Sequence, residues 1–436
     1  MADHPKDPAK NPGASSEVDG LVDHLFRHSA GRMVASLARL FGSARLDLAE
    51  EVVQDALARA LATWPYHGVP QNPAGWLFDV ARNRARDILR REISFTGKIA
   101  LLEASEEFSP TAAAPGDLDR SLDDDELAMI FMCCHRELPE AARIALTLKT
   151  VGGFGVEEIA AALLTRPAAI AQRLVRAKRV IRQNNITIEI PATRDLGERL
   201  DDVLEIIYLI FTEGYRAHRG DDLVRADLCE EAIRLADLLT RNEATHIPKV
   251  HALLALMLLQ AARLPARADE GGDLLLLDDQ DRSLWDRELI AAGLRHFDLA
   301  AAGRELTAYH LEAAIAAHHA AAPHQGETDW RHVLQLYDEL LVLKPSPVVA
   351  LNRAIALSMV EGPEGAIRAI EEIAEEPAFA SYHLLPAVLG ALWLRAGSAD
   401  TAAGYYRAAL AMPSSAPVRR FLERQLCKCK PKTPLN

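Results

Sequence analysis

Residues 164 to 182, LTRPAAIAQRLVRAKRVIR, carry six basic side chains and no acidic one in a chain whose formal net charge is −13. Lys and Arg concentrated on one predicted helix are the chemistry of phosphate binding, and Gln and Arg among them can hydrogen-bond base edges. A shorter amphipathic helix at 155 to 164 precedes it, with Ile159, Ala160 and Leu163 inward and Glu157 and Glu158 outward. The tight connection around Thr165 to Pro167 gives the spacing of a helix-turn-helix, whose second helix enters the DNA major groove.

A second basic stretch lies upstream. WLFDVARNRARDILRR, residues 76 to 91, places Trp76, Leu77, Val80, Ala81, Ile88 and Leu89 on one predicted face and leaves Arg82, Arg84, Arg86, Arg90 and Arg91 largely outside. Other reactive residues carry weaker signals. Cys133-Cys134-His135 has no second ligand pair at zinc spacing, and adjacent helical side chains point apart, so the pair reads as buried core. Cys427 and Cys429 sit in a Lys- and Pro-rich tail and read as exposed thiols; the odd total of five cysteines fits a reduced compartment. Asp269, Asp273, Asp278, Asp279 and Asp281 resemble hard-cation ligands but miss the spacing and closing Glu of a calcium loop, which leaves helix capping as their role. His318-His319, on an Ala-rich helix, reads as surface. No nucleophile elbow, phosphate loop or HExxH pattern occurs, so neither catalysis nor a metal or cofactor is expected.

The elements that position these groups are helical. Ala and Leu dominate, β-branched residues are sparse and period-2 alternation is absent, so an all-α fold is expected. Its 436 residues suffice for two to four domains. Val52, Val53, Ala56, Leu57, Ala60, Leu61 and Trp64 recur at helical spacing within a first domain at 18–93. Pro65 to Pro73 reads as neither helix nor central strand. An acidic flexible linker is expected at 94–125, a helix-turn-helix domain at 126–185, a further helical domain at 190–305 and degenerate repeats at 306–426. Residues 101 to 126 hold nine acids and one base, and 191 to 436 hold 36 acids and 26 bases, so charge is segmented along the chain. No apolar run reaches the ~18 to 20 residues of a membrane span and the N-terminus is polar, which together predict a cytoplasmic location.

In the last repeat Gly390, Trp393, Gly397, Ala402, Tyr406, Ala409 and Pro413 fall near the small and aromatic positions of a tetratricopeptide unit. The preceding copy offers Ala354, Leu357, Gly362, Ala366 and Ile370. Stacked helix pairs of this kind leave a concave groove for a regulatory peptide or protein segment.

Taken in order, AEEVVQDALARALATW, a Pro/Gly turn, WLFDVARNRARDILRR, an acidic linker and ELPEAARIALTLKTVGGFGVEEIAAALLTRPAAIAQRLVRAKRVIR resemble a bacterial RNA polymerase sigma factor of the sigma-70 family, extracytoplasmic-function type. The resemblance covers about residues 20 to 185, with regions 2 and 4 and no region 3. The remainder is similar to the subgroup with a long tetratricopeptide-like C-terminal extension. The resemblance implies core RNA polymerase and promoter DNA as partners. Glu51, Gln54, Asp55 and Arg59 would dock on the clamp helices of the largest subunit, with the flap of the second subunit as a further contact. Asn72, Trp76, Arg82, Asn83 and Arg86 would engage the −10 element, although Trp76 also suits a core position. Gln172, Arg173 and Arg176 would read the −35 duplex, with Lys178, Arg179 and Arg182 on phosphate or polymerase. Arg166-Pro167-Ala168-Ala169 departs from the Ser, Glu or Thr that usually open this helix, which puts the −35 preference in question. The acidic linker resembles a segment threaded toward the RNA exit path, and equally suits a disordered tether. The extension is expected to regulate promoter engagement in cis. A scaffold in which the repeats carry the activity and the sigma-like half is degenerate is the alternative.

Overall fold

In a computed structural model, residues 12–96, 115–163, 165–215, 225–269, 271, 273–380 and 382–429 are described, and the regular elements among them are helical apart from one isolated bridge between Ala268 and Leu274. The chain divides into two compact units, Met1–Ile206 and Ile207–Asn436. None of the described helices is long and apolar enough to cross a membrane.

The first unit contains α1 (Pro12–Phe41), α2 (Leu46–His67), α3 (Pro73–Thr96), α4 (Pro115–Cys133), α5 (Glu140–Thr150), α6 (Val156–Ala162), α7 (Pro167–Gln183) and the start of α8 (Thr193–Tyr215). Leu46, Ala49, Val52, Val53, Ala56, Leu57, Ala60 and Trp64 return every three or four residues along α2 and are buried. Met33, Leu37 and Phe41 supply the facing stripe of α1, and Leu77, Phe78, Ala81, Ala85 and Leu89 that of α3.

Three expectations about the first unit are corrected. Pro65 does not end α2, which runs to His67. It stands in the last turns, where few downstream bonds are lost, and Trp64 anchors the end by packing edge-on to Trp76 at 5.4 Å. The acidic stretch is helical from Pro115 instead of linker to 125: Asp123 pairs with Arg32 at 2.7 Å and Asp125 with Arg39 at 2.6 Å, so α4 is neutralised against α1. The helical boundary expected between 185 and 190 falls later, within α8. Arg199 donates to the Phe131 carbonyl at 2.6 Å, and Arg136 bonds Glu198 at 3.1 Å and Asp202 at 3.2 Å, fastening the first turns of α8 to the first unit.

The second unit contains α9 (Ala226–Arg241), α10 (Pro248–Ala261), α11 (Arg287–Ala300), α12 (Ala308–Ala321), α13 (Trp330–Leu343), α14 (Pro347–Val360), α15 (Pro363–Glu371), α16 (Leu384–Arg395), α17 (Ala399–Leu410) and α18 (Ala416–Lys428). Apolar on nearly every face, α10 is buried from Val250 to Leu259 and packs on α9, α11 and α12. From α13 onward each helix packs on the next. Gly362 (φ 94°) and Gly397 (φ 83°), 35 positions apart, make the turns inside two successive helix pairs. A Cβ on Gly390 would lie 3.0 Å from the buried Tyr406 ring, the close approach that the small-residue pattern implies.

Of the acids in this loop Asp281 caps a helical turn as expected, whereas Asp269 accepts from the backbone of Gly271 and Asp273 within the loop, and Asp269 and Asp273 pair with Arg424, Asp273 also with Arg420. Two expectations fail here. Cys429 is buried against Tyr406 and Leu422, because α18 extends to Lys428, and only Cys427 is exposed. His319 is buried and packs edge-on to Trp330 at 5.2 Å, because alternate positions of α12 face neighbouring helices on both sides.

Candidate nucleic-acid interface

Glu158 starts the interface by accepting a 2.6 Å bond from the Gly155 N–H, which closes the first turn of α6. The connection folds back through a bond from the Thr165 N–H to the Ala160 carbonyl at 2.9 Å, and Pro167 opens α7 with its fixed φ. Ile170, Leu174, Ala177 and Ile181 are buried at i, i+4, i+7 and i+11, fixing which side of α7 faces out. Gln172, Arg176 and Arg179 are exposed on that side, and Arg173 is half-buried. Val175, 65% exposed, stands among them. Sequence reasoning passed over it because an apolar residue in a helix reads as core.

Lys178 departs from its expected role on DNA. Its side chain is 13% exposed and its Nζ lies 2.7 Å from Asp47 Oδ1 and 2.8 Å from Glu50 Oε2, both on α2. Burial disfavours the charge, but Glu50 and Asp47 outweigh it and hold the ammonium above its ordinary pKa. Arg182 Nη1 joins at 3.2 Å from Asp47 Oδ2, and Thr150 donates to Glu50. The C-terminal half of α7 is thereby clasped to α2 through two carboxylates. Beside the clasp, a Cβ on Gly31 of α1 would stand 2.1 Å from the Val151 carbonyl oxygen, so the backbones of α1 and the α5–α6 turn are in direct contact.

Glu51, Gln54, Asp55 and Arg59 of α2 are all exposed, with Asp55 bonded to Arg84 of α3 at 3.2 Å. The candidates around the start of α3 divide. Asn72 caps α3, its Oδ1 accepting from the Gly75 N–H at 2.9 Å, while the residue itself remains exposed. Asn83 is exposed and Arg86 half-buried. Trp76 is half-buried against Trp64 and belongs to the scaffold. Arg82 is the correction: at 6% exposure it lies on the inward line of Phe78, Ala85 and Leu89 and pairs with Asp79 at 2.9 Å. Of the expected inward stripe Leu77, Ala81 and Leu89 are buried and Trp76, Val80 and Ile88 half-buried, while the buried line widens to take in Phe78, Arg82 and Ala85.

Cys133 and Cys134 are both buried as expected, and burial pushes the Cys134 thiol up to about 12.

Comparison with known proteins follows the same partition. Residues 25–93 match Sigma-70 region 2, residues 128–181 match Sigma-70, region 4, and residues 199–301 match a family of unknown function, DUF6596. The chain is 40% identical over 412 residues to an uncharacterised protein of Rhizobium meliloti (strain 1021), an alignment that spans 93% of this chain and 95% of that one.

Proposed function

From its membership of the sigma-70 family, with regions 2 and 4 both matched, we propose that the chain is an alternative sigma factor of the extracytoplasmic-function type that recruits core RNA polymerase to promoters. Such a protein performs no chemistry of its own; it works by binding polymerase and DNA. The observation that carries the reading is the outward row of Gln172, Arg176 and Arg179 on the second helix of a helix-turn-helix. Gln pairs with adenine and Arg with guanine in the major groove, and Val175 adds an apolar contact suited to a thymine methyl. Region 2 would meet the polymerase clamp helices through Glu51, Gln54, Asp55 and Arg59. Its −10 contacts would come from Asn72, Asn83 and Arg86, standing on a platform that Trp76 and Arg82 support from beneath.

The clasp supports one addition. With Lys178 and Arg182 held by Asp47 and Glu50, the free protein is a closed form, and engaging polymerase and both promoter elements requires α7 to leave α2. The helical extension would regulate that opening in cis and receive a peptide or protein segment along tetratricopeptide-like pairs; its acidic surplus disfavours DNA as its own ligand. Purified protein added to core polymerase should start transcription at a defined promoter recovered from DNA bound to the tagged protein in cells. Failure to form any complex with core polymerase would reject the reading. Chains ending after α8 test the extension: unchanged transcription with and without inducing conditions would remove its regulatory role.

A further inference from the structure

The second unit encloses a cavity of ≈ 410 Å³ where α8, α10, α12, α13 and α14 converge. That volume lies within the roughly 300 to 1,000 Å³ typical of small-molecule sites. Its rim is braced by Glu312, which accepts from the Tyr208 hydroxyl at 2.5 Å and bonds the Lys344 ammonium at 3.3 Å, so three elements are tied around the opening.

Within this frame two opposite charges are left over. Glu213 lines the cavity from the last turn of α8, where the helix dipole presents its negative end. It is half-buried, it has no hydrogen-bond or ion-pair partner among the described residues, and burial raises its pKa. A bound cation would answer all three features. Arg263, just past α10, also lines the cavity and has no carboxylate partner among the described residues. Its guanidinium lies over the Trp285 ring at 5.5 Å and its Nε is buried without an acceptor. Arg282 lies over the same ring at 4.7 Å with its Nη1 bonded to the His319 and Ala322 carbonyls, so two guanidinium groups share one apolar plate. His319, 9% exposed, adds a buried Nδ1 that has no partner. Burial and the two nearby guanidinium groups keep it neutral, with a pKa near 3, so it is a hydrogen-bonding group there and not a further charge.

An unpaired carboxylate and an unpaired guanidinium in one cavity, with aliphatic walls from Ile315 and Leu340 between helices, are complementary to a small molecule that carries both an ammonium and an acid group. We infer that the extension holds a binding site for a free α-amino acid or an equally small zwitterion, its acid group on Arg263 and its ammonium on Glu213. The site belongs to the second unit alone, so it stands or falls independently of promoter binding by the first.

The probes are the twenty common α-amino acids, each added at millimolar concentration to the full-length protein, with thermal unfolding as the first readout and calorimetric titration as the second. At least one is expected to raise Tm and to bind saturably. Its deaminated acid and its decarboxylated amine should each bind about tenfold more weakly or worse. Dipeptides built from the same residue serve as the arm for a peptide end; tighter binding by a dipeptide would overturn the free amino acid as ligand. Glu213→Gln and Arg263→Gln should each weaken binding about tenfold while leaving the unliganded circular dichroism spectrum unchanged. If Arg263→Gln disturbs the fold, Arg263→Lys, which keeps the charge and gives up the planar fork, takes its place and should weaken binding in the same direction. Absence of a Tm shift and of binding heat with all twenty overturns the proposal, as does a ligand whose affinity survives both the Glu213 and the Arg263 substitutions.

Discussion

Lys178 of α7 and Asp47 of α2, 131 positions apart in the chain, are joined by a 2.7 Å ion pair, and Glu50 takes a second bond from the same ammonium. The helix proposed to read bases is thus held by the helix proposed to dock on polymerase.

Asp47→Asn with Glu50→Gln should release α7 without altering its outer face. The free double variant is expected to bind a −35 duplex about three- to tenfold more tightly than the parent, since the three pairs it removes, two of them through one ammonium, are together worth about 1 kcal/mol. Fluorescence anisotropy on labelled duplex measures it. Equal affinity in parent and variant would show that the clasp does not restrain DNA binding.

Gln172→Ala and Arg176→Ala should each cost about 1 to 3 kcal/mol on the preferred duplex and narrow the gap to mismatched sequences. Arg179→Ala should instead weaken all sequences alike and lower the salt dependence by about one charge. Titrations at several salt concentrations separate the two behaviours. A uniform loss from Gln172→Ala would remove it from base reading.

Gly390→Ala should destabilise the second unit by about 1 to 3 kcal/mol, because the new Cβ meets the fully buried Tyr406 ring and neither helix can withdraw without opening the core. Gly397→Ala tests a different cause at a nearby place: nothing crowds that position, and the penalty of about 1 kcal/mol is the positive φ. Calorimetric Tm values should rank Gly390→Ala as the larger effect.

His251 and His319 make the second unit sensitive to acid. Burial holds both below the ordinary histidine range, His251 to about 4 and His319 to about 3. The unfolded chain takes up their protons from about pH 6.5 downward, whereas the folded chain does not until pH 4 or lower. Stability therefore falls as pH drops below 6.5 and goes on falling to about pH 4, by about 2 kcal/mol for each group. His319→Gln should flatten the dependence of Tm on pH between 6.5 and 4.5; an unchanged slope would assign the sensitivity elsewhere.

The parts legible in the sequence were those written in periodicity. Helical spacing projects Gln172, Arg173 and Arg176 outward from α7, and Gln172 and Arg176 are exposed while Arg173 is half-buried beside the inner line of Ile170, Leu174, Ala177 and Ile181. What escaped depended on contacts between distant segments. Nothing local to DDDE marks Asp123 and Asp125 as partners of Arg32 and Arg39, and composition alone made that stretch read as a tether. Lys178 looked like Arg179 beside it until α2 was seen to supply two carboxylates. Arg82 and His319 failed for a narrower reason: the inner side of α3 is wider than the line of Leu77, Ala81 and Leu89, and α12 is covered on both sides, so positions beside the apolar line are buried too.

Helix α3 ends at Thr96 and α4 begins at Pro115, so residues 97 to 114 join them. At about 3.3 Å per residue, eighteen residues reach at most about 60 Å. That is the length of about eighteen base pairs at 3.4 Å each. On the proposed function, a promoter complex in which α4 left α1 and moved with α7 would have to keep its two DNA contacts within that span. Lengthening or trimming residues 97 to 114 would then shift the permitted separation of the two sites like the setting on a caliper.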